Sequence, residues 1–96
     1  MKLFDIIGNK LKIHVDALAL PPFQSIWDSE KDKDLAEKYI KFVVFFYKDD
    51  SPYVSGYSTE DRERVLKEDI FKDGNYKLPD KVYELGRRYQ ELQRNP

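Results

Sequence analysis

Four groups of side chains in this chain have the residue types that chemistry needs. The first is His14, the single imidazole. It falls on the polar side of a strand-like pattern. With no cysteine and no second histidine, a transition-metal site there would need several carboxylates around it. An exposed strand histidine is the expectation. The second is the run Asp28, Glu30, Asp32 and Asp34, with an acid at every second position like the opening half of a calcium loop. The likeness stops there. Lys33 stands at the sharp-turn glycine position, Tyr39 stands where the bidentate glutamate belongs, and Lys31 and Lys33 oppose a divalent cation. A solvated loop with helix capping is expected instead. The third is Ser51, Ser55 and Ser58, hydroxyls with no evident histidine base to activate them. The fourth is a set suited to binding: Trp27, Tyr53 and Tyr57, with Arg87 and Arg88 further on. Tyrosine, tryptophan and arginine dominate the energetics of protein interfaces.

No P-loop, GxGxxG, GxSxG or HExxH pattern occurs, and the abundant carboxylates lie on charged helix faces where ion pairs are expected. The expectation is therefore no enzyme, no catalytic residue, no metal and no cofactor. Composition points the same way. With 17 basic and 18 acidic residues the formal net charge is −1, which gives no long-range pull toward a phosphate backbone. Nucleic acid is a disfavoured partner, although Lys81, Arg87, Arg88 and Arg94 make the last helix mildly basic. No stretch approaches the length of apolar residues that spans a membrane. Charges at Asp5, Lys10 and Lys12 break any leading apolar run, so no signal peptide is expected.

The elements that must position these groups follow from periodicity. Lys2 to Val15 reads as a β-hairpin, Leu3 to Ile7 and Lys10 to Val15, turned by Gly8-Asn9. Leu11, Ile13 and Val15 point to one face of the second strand, Lys12 and His14 to the other. Such a hairpin is marginal alone, so its apolar face must lie on the helices or on another chain. Asp16 to Pro22 is a connector, after which Pro22 opens a short helical turn carrying Phe23, Ile26 and Trp27. Asp28 to Asp34 is a loop ending in an N-cap at Asp32 or Asp34. Leu35 to Tyr47 then forms a helix that is apolar nearly all round, its polar strip limited to Glu37, Lys38 and Lys41. That helix must be central or intermolecular.

Lys48 to Tyr57 reads as a loop, broken by Ser51-Pro52 and Gly56. Its tyrosines either cap the end of the aromatic helix or face a partner. Ser58 starts a near capping box, with Asp61 in place of the usual glutamate, and a helix follows to about Lys72. Its buried side is Val65, Leu66, Ile70 and Phe71, and Asp73-Gly74 supplies a left-handed stop. Leu78-Pro79-Asp80 opens the last helix, with a stripe of Val82, Leu85, Tyr89 and Leu92. Gly86 in its middle costs about 1 kcal/mol relative to alanine, and is either the mark of another helix's close approach or simply tolerated. The fold class expected is α+β, mainly α: an N-terminal β-hairpin, a short helical turn and three helices. Residues 1–96 form one small domain, with 1–16 the hairpin and 17–96 helical, and Asn95-Pro96 suggests a chain that continues.

The order of these motifs carries a likeness. Pro22-Phe23, Ile26-Trp27-Asp28, the Lys/Asp run from Lys31 to Asp34, Phe45-Phe46-Tyr47-Lys48, Ser51-Pro52-Tyr53, Glu60 to Arg64, and Leu78-Pro79-Asp80 follow one another over about residues 22–92. The set resembles small virion structural proteins of tailed bacteriophages, including crAss-like and large myovirus-type phages. The resemblance implies a small non-enzymatic protein built into the neck, tail or baseplate by contacts with other virion proteins, in an oligomeric assembly. It carries over no active site. The partner-binding set expected is Trp27, Tyr53, Tyr57, Arg87 and Arg88. The alternative is a small cytoplasmic adaptor or regulatory domain that binds one protein partner.

Overall fold

Asp32 decides where the central helix begins. Its Oδ1 accepts from the backbone N–H groups of Asp34 (3.0 Å) and Leu35 (3.3 Å), which fixes the first turn. In the computed structural model, which describes residues 4–7, 10–48 and 51–94, the chain runs β1 (Phe4–Ile7), β2 (Lys10–Ile13), α1 (Val15–Leu18), α2 (Pro21–Ser29), α3 (Lys33–Tyr47), α4 (Pro52–Gly56), α5 (Thr59–Phe71) and α6 (Asp80–Arg94). This is α+β and mainly helical, as expected. The Gly8-Asn9 turn and the Asn95-Pro96 end lie outside the described residues.

β1 and β2 pair antiparallel, with Phe4 opposite Ile13 and Ile6 opposite Leu11. The alternation holds: Lys10 and Lys12 are exposed while Leu11 and Ile13 pack on the core. Phe4 carries the attachment. Its ring meets Phe23 of α2 at 5.2 Å and Tyr89 of α6 at 5.8 Å, and those two meet at 5.6 Å, all edge-on. The hairpin therefore lies on the helices of its own chain. Val15 falls in α1 rather than in β2. One helical turn spans part of the expected connector, too short for periodicity to show.

α3 is the axis of the molecule. α2, α4, α5 and α6 all pack on it. Ala36, Tyr39, Ile40, Phe42, Val43, Val44 and Phe45 are buried, the predicted strip of Glu37, Lys38 and Lys41 reaches solvent or its edge, as does the first turn at Lys33 and Asp34, and Leu35, Phe46 and Tyr47 are half-buried. The aromatic surface that had to be covered is covered within the chain. A radius of gyration of 12.5 Å is what a chain of this length has when packed round one core.

Several boundaries differ from expectation, each for a local reason. α2 runs on through Asp28 and Ser29, because Pro21 and Pro22 start it early and nothing breaks it before Glu30. The stretch 52–56 is a short helix: Ser51 caps it and Pro52 occupies its first turn, so the apparent breakers are its start signals. α5 ends at about Lys72 as expected, but it is Lys72 and not Gly74 that takes the left-handed conformation, at φ 62°, its N–H donating to the Glu68 carbonyl at 3.0 Å. Gly74 serves space instead, since a Cβ there would lie 3.0 Å from Glu68 Oε2 and 3.3 Å from Arg64 Cγ. On α5, Leu66 is buried, Val65, Ile70 and Phe71 are half-buried, and Lys67 is unexpectedly buried at 9 % exposure, beside Glu63. On α6, Val82, Leu85 and Tyr89 are buried, but Leu92 is 45 % exposed beside Pro22, where the cover from α2 runs out. Gly86 does mark a close approach: a Cβ on it would stand 2.5 Å from Cε2 of Tyr47.

Candidate functional site

The tyrosines of α4 are held by two groups that make no appeal in the sequence. Ser51 is 1 % exposed; its Oγ donates to the Phe45 carbonyl at 2.6 Å and accepts from the Tyr53 N–H at 3.3 Å. One hydroxyl thus closes α3 and opens α4. Arg62 of α5 does the larger work. Its guanidinium donates to the carbonyls of Tyr53 (3.2 Å), Phe46 (3.1 Å), Val54 and Tyr57 (both 3.5 Å), and lies 5.1 Å from the Phe46 ring centre. A cation at the C-terminal ends of two helices faces their negative dipole ends. The sharp corner from α3 through α4 to α5 is fixed by these contacts.

On this corner Tyr53 lays its ring edge-on to Phe45 at 5.4 Å and donates its hydroxyl to Asp69 of α5 at 2.6 Å. Burial, then the hydrogen bond and charge of Asp69, push the Tyr53 phenol up to about 12. Tyr57 stacks on Tyr53 at 6.2 Å and remains 45 % exposed. An open groove of about 500 Å³ runs between α3 and α5 from this pair, lined by Lys38, Lys41, Phe45, Tyr53, Asp69, Ile70 and Lys72. A second hollow of about 250 Å³ shares Tyr53 and Asp69 with it and reaches Pro52 and Tyr57. The first is a trough with Phe45, Tyr53 and Ile70 as its apolar lining and three lysines against a single aspartate; the second adjoins it across the Tyr53–Asp69 pair and carries no lysine. Lys38 and Lys41 have no hydrogen-bond or ion-pair partner among the described residues. Lys72 Nζ donates to the Asp69 carbonyl at 3.2 Å.

The other expected partner residues do not join this trough. Trp27 of α2 is half-buried against the core, with Lys33 Nζ 5.0 Å from its ring centre and donating to its carbonyl. It stands by the first turn of α3, whereas Phe45 and Tyr53 mark the last, about 18 Å along the helix. Arg87 and Arg88 are both exposed but face different ways on α6. Arg87 lies near the Tyr47 phenol, whose proton affinity burial raises and this guanidinium partly lowers. Arg88 pairs with Glu84 at 3.8 Å and lines a separate hollow of about 260 Å³ over Ile26 and Leu85. The mildly basic face is split between them.

The remaining chemical candidates are engaged in the fold. His14, expected to be exposed on a strand, follows β2 and precedes α1, half-buried, with Nε2 2.8 Å from Asp5 Oδ2. Asp28 ends α2, Glu30 meets Lys81, and Asp32 is a cap. Ser55 Oγ donates to the Pro52 carbonyl at 3.4 Å, and Ser58 caps α5, accepting from the Asp61 N–H at 3.4 Å. Among the described residues no three acidic or histidine side chains are gathered as a metal cage, and no helix is long and apolar enough to cross a membrane.

The sequence reading singled out the tyrosines by type but missed the lysine wall and the Arg62 clamp. Lys38 and Lys41 stand out as part of the polar strip of α3, but Lys72 joins them only through packing of α3 on α5, and no local pattern marks that. The chain matches no family model, no curated protein and no solved structure.

Proposed function

We propose that this chain is a non-enzymatic module that works by contact with other proteins, as a structural or assembly component of a tailed-phage particle in its neck, tail or baseplate. One observation carries the contact reading: Tyr57, stacked on a pinned Tyr53, is held out to solvent in the hollow that adjoins the lysine-walled trough. A tyrosine fixed in place before binding loses little entropy on docking, and aromatic groups so placed are common anchors at interfaces. The engagement of His14 and the three serines in holding the fold supports a role without bond chemistry. The phage setting rests on the motif order of residues 22–92.

The test is sedimentation of the purified protein with and without particle components. Incorporation into particles is the expected result, weakened by Tyr57→Ala. A strictly monomeric protein absent from purified particles overturns the reading. One observation favours a second reading: the apolar face of α3 from Ala36 to Phe45 is buried within the chain, so the fold is self-sufficient in the way an adaptor domain needs. An adaptor forms a one-to-one soluble complex in infected cells and is not incorporated, which pull-down separates from the first reading.

A further inference from the structure

The trough between α3 and α5 has the chemistry of a specific guest. Its walls are Lys38 and Lys41, one turn apart on the solvent strip of α3, and Lys72 at the end of α5. Two of these ammonium groups have no hydrogen-bond or ion-pair partner among the described residues, and Lys41 is half-buried, so part of its hydration is already lost. A carboxylate arriving there meets cations without displacing an internal partner. Its floor is the Phe45 ring, Ile70 and the Tyr53 ring, continuing to the exposed face of Tyr57. This floor suits an apolar or aromatic side chain.

Asp69 decides between the two polyanions that lysines attract. Its carboxylate, fixed by the Tyr53 hydroxyl at 2.6 Å, lines both the trough and the hollow beside it. A nucleic acid strand carries a charge at every nucleotide, so one threading past would set phosphates near Asp69. A peptide can place its carboxylates at the lysines and present a backbone N–H or an uncharged side chain to Asp69. We infer that the trough docks an extended acidic segment of a partner protein, with carboxylates at Lys38, Lys41 and Lys72 and an apolar or aromatic side chain against Tyr53 and Tyr57. This rests on the reading of the chain as a protein-contact module and specifies which segment it takes.

The experiment is a titration of the isotope-labelled full chain, followed by amide chemical shifts. The probe is a short synthetic peptide of glutamates around a central phenylalanine. Its glutamine counterpart and a short oligothymidylate serve as comparisons. The expected result is saturable shifts at Lys38, Lys41, Phe45, Tyr53, Ile70 and Lys72, fading as salt rises. The glutamine peptide binds about tenfold more weakly or worse, and the Lys38→Glu/Lys41→Glu variant loses about tenfold for the acidic peptide. Both positions lie on the solvent strip, and an unchanged amide spectrum elsewhere shows that the variant folds. Arg87→Glu/Arg88→Glu, on another face, binds as the parent does. No shifts, shifts confined to the α2–α6 hollow, or tighter binding of oligothymidylate would each overturn the inference. The two proposals fail separately. Incorporation into particles without peptide binding sinks the trough alone. Peptide binding by a protein that enters neither a particle nor a complex sinks the assembly reading alone.

Discussion

Arg62 reaches four carbonyls on three consecutive segments, and none of them is a side chain. A lysine offers one compact ammonium where arginine offers a planar fork, so it cannot serve all four. Arg62→Ala is expected to destabilise by about 2–4 kcal/mol, because it strands part-buried carbonyls as well as removing the bonds. Arg62→Lys should recover no more than about half of that. Denaturant unfolding measures both, and a loss under about 0.5 kcal/mol for the alanine variant would mean that water replaces the guanidinium freely. Tyr53 gives a second expectation at this scale. Its phenol holds its proton up to about pH 12 in the folded chain against an ordinary value of 10, and burial raises the phenols of Tyr39, Tyr47 and Tyr83 as well. Between those pH values the folded state binds more protons than the unfolded one, so stability falls as pH rises. The stability contributed by the protonated Tyr53 phenol is fully present below pH 10 and lost on the way to about 12. Tyr53→Phe should flatten part of that fall, and equal slopes for parent and variant from pH 10 to 12 would refute the assignment.

At the scale of elements, α3 and α6 meet most closely where Gly86 admits the Tyr47 ring. Alanine in a helix interior gains about 1 kcal/mol over glycine. Overpacking a core contact costs about 1–3 kcal/mol. At 2.5 Å from a ring carbon the second effect wins, so Gly86→Ala should destabilise by about 1 kcal/mol. Tyr47→Leu removes the ring atoms that a Cβ would strike. In that background Gly86→Ala should stabilise by about 0.5–1 kcal/mol, and a double-mutant cycle reads the change of sign. The same sign in both backgrounds would show that the contact does not limit the helix spacing. This glycine was legible as a sign of close approach, though the partner was not. The long elements were legible too: α3 from its unbroken apolar phase, α5 from Ser58, β2 from its alternation. α4 was hidden because Ser51-Pro52 is both a common loop pair and a helix start, and sequence does not say which. The end of α5 near Lys72 was legible, but the residue that takes the left-handed conformation was not, because glycine is the better left-handed residue and Gly74 stands two positions on. The trough shared this fate. Tyr53 and Tyr57 stand out by type, but the lysine wall exists only once two elements separated by a corner have packed together.

Taken whole, the molecule is a helical body with a two-stranded hairpin set against it. The body closes on itself: α3 is sheathed by α2, α4, α5 and α6. Among the described residues β1 and β2 pair only with each other, and the hairpin is seated by the fully buried Phe4 between Phe23 and Tyr89, with Ile6, Leu11 and Ile13 packed less deeply beside it. A hairpin alone is marginal in water, so its order depends on that insertion more than on its own hydrogen bonds. Truncating a buried phenylalanine costs about 3–5 kcal/mol, but the loss can be met locally if the hairpin opens while the body stays shut. The expectation for Phe4→Ala is therefore unequal. By native-state hydrogen exchange the amides of β1 and β2 lose most of their protection, while those in the middle of α3 still exchange by the slow global route. Near-uniform loss across β2 and α3 would mean that hairpin and body unfold as one unit. In the parent protein, fast exchange along α3 in an isolated monomer would mean that the sheath is open and that a partner must complete it. The trough would then be a by-product of an unfinished core rather than a place built for a guest.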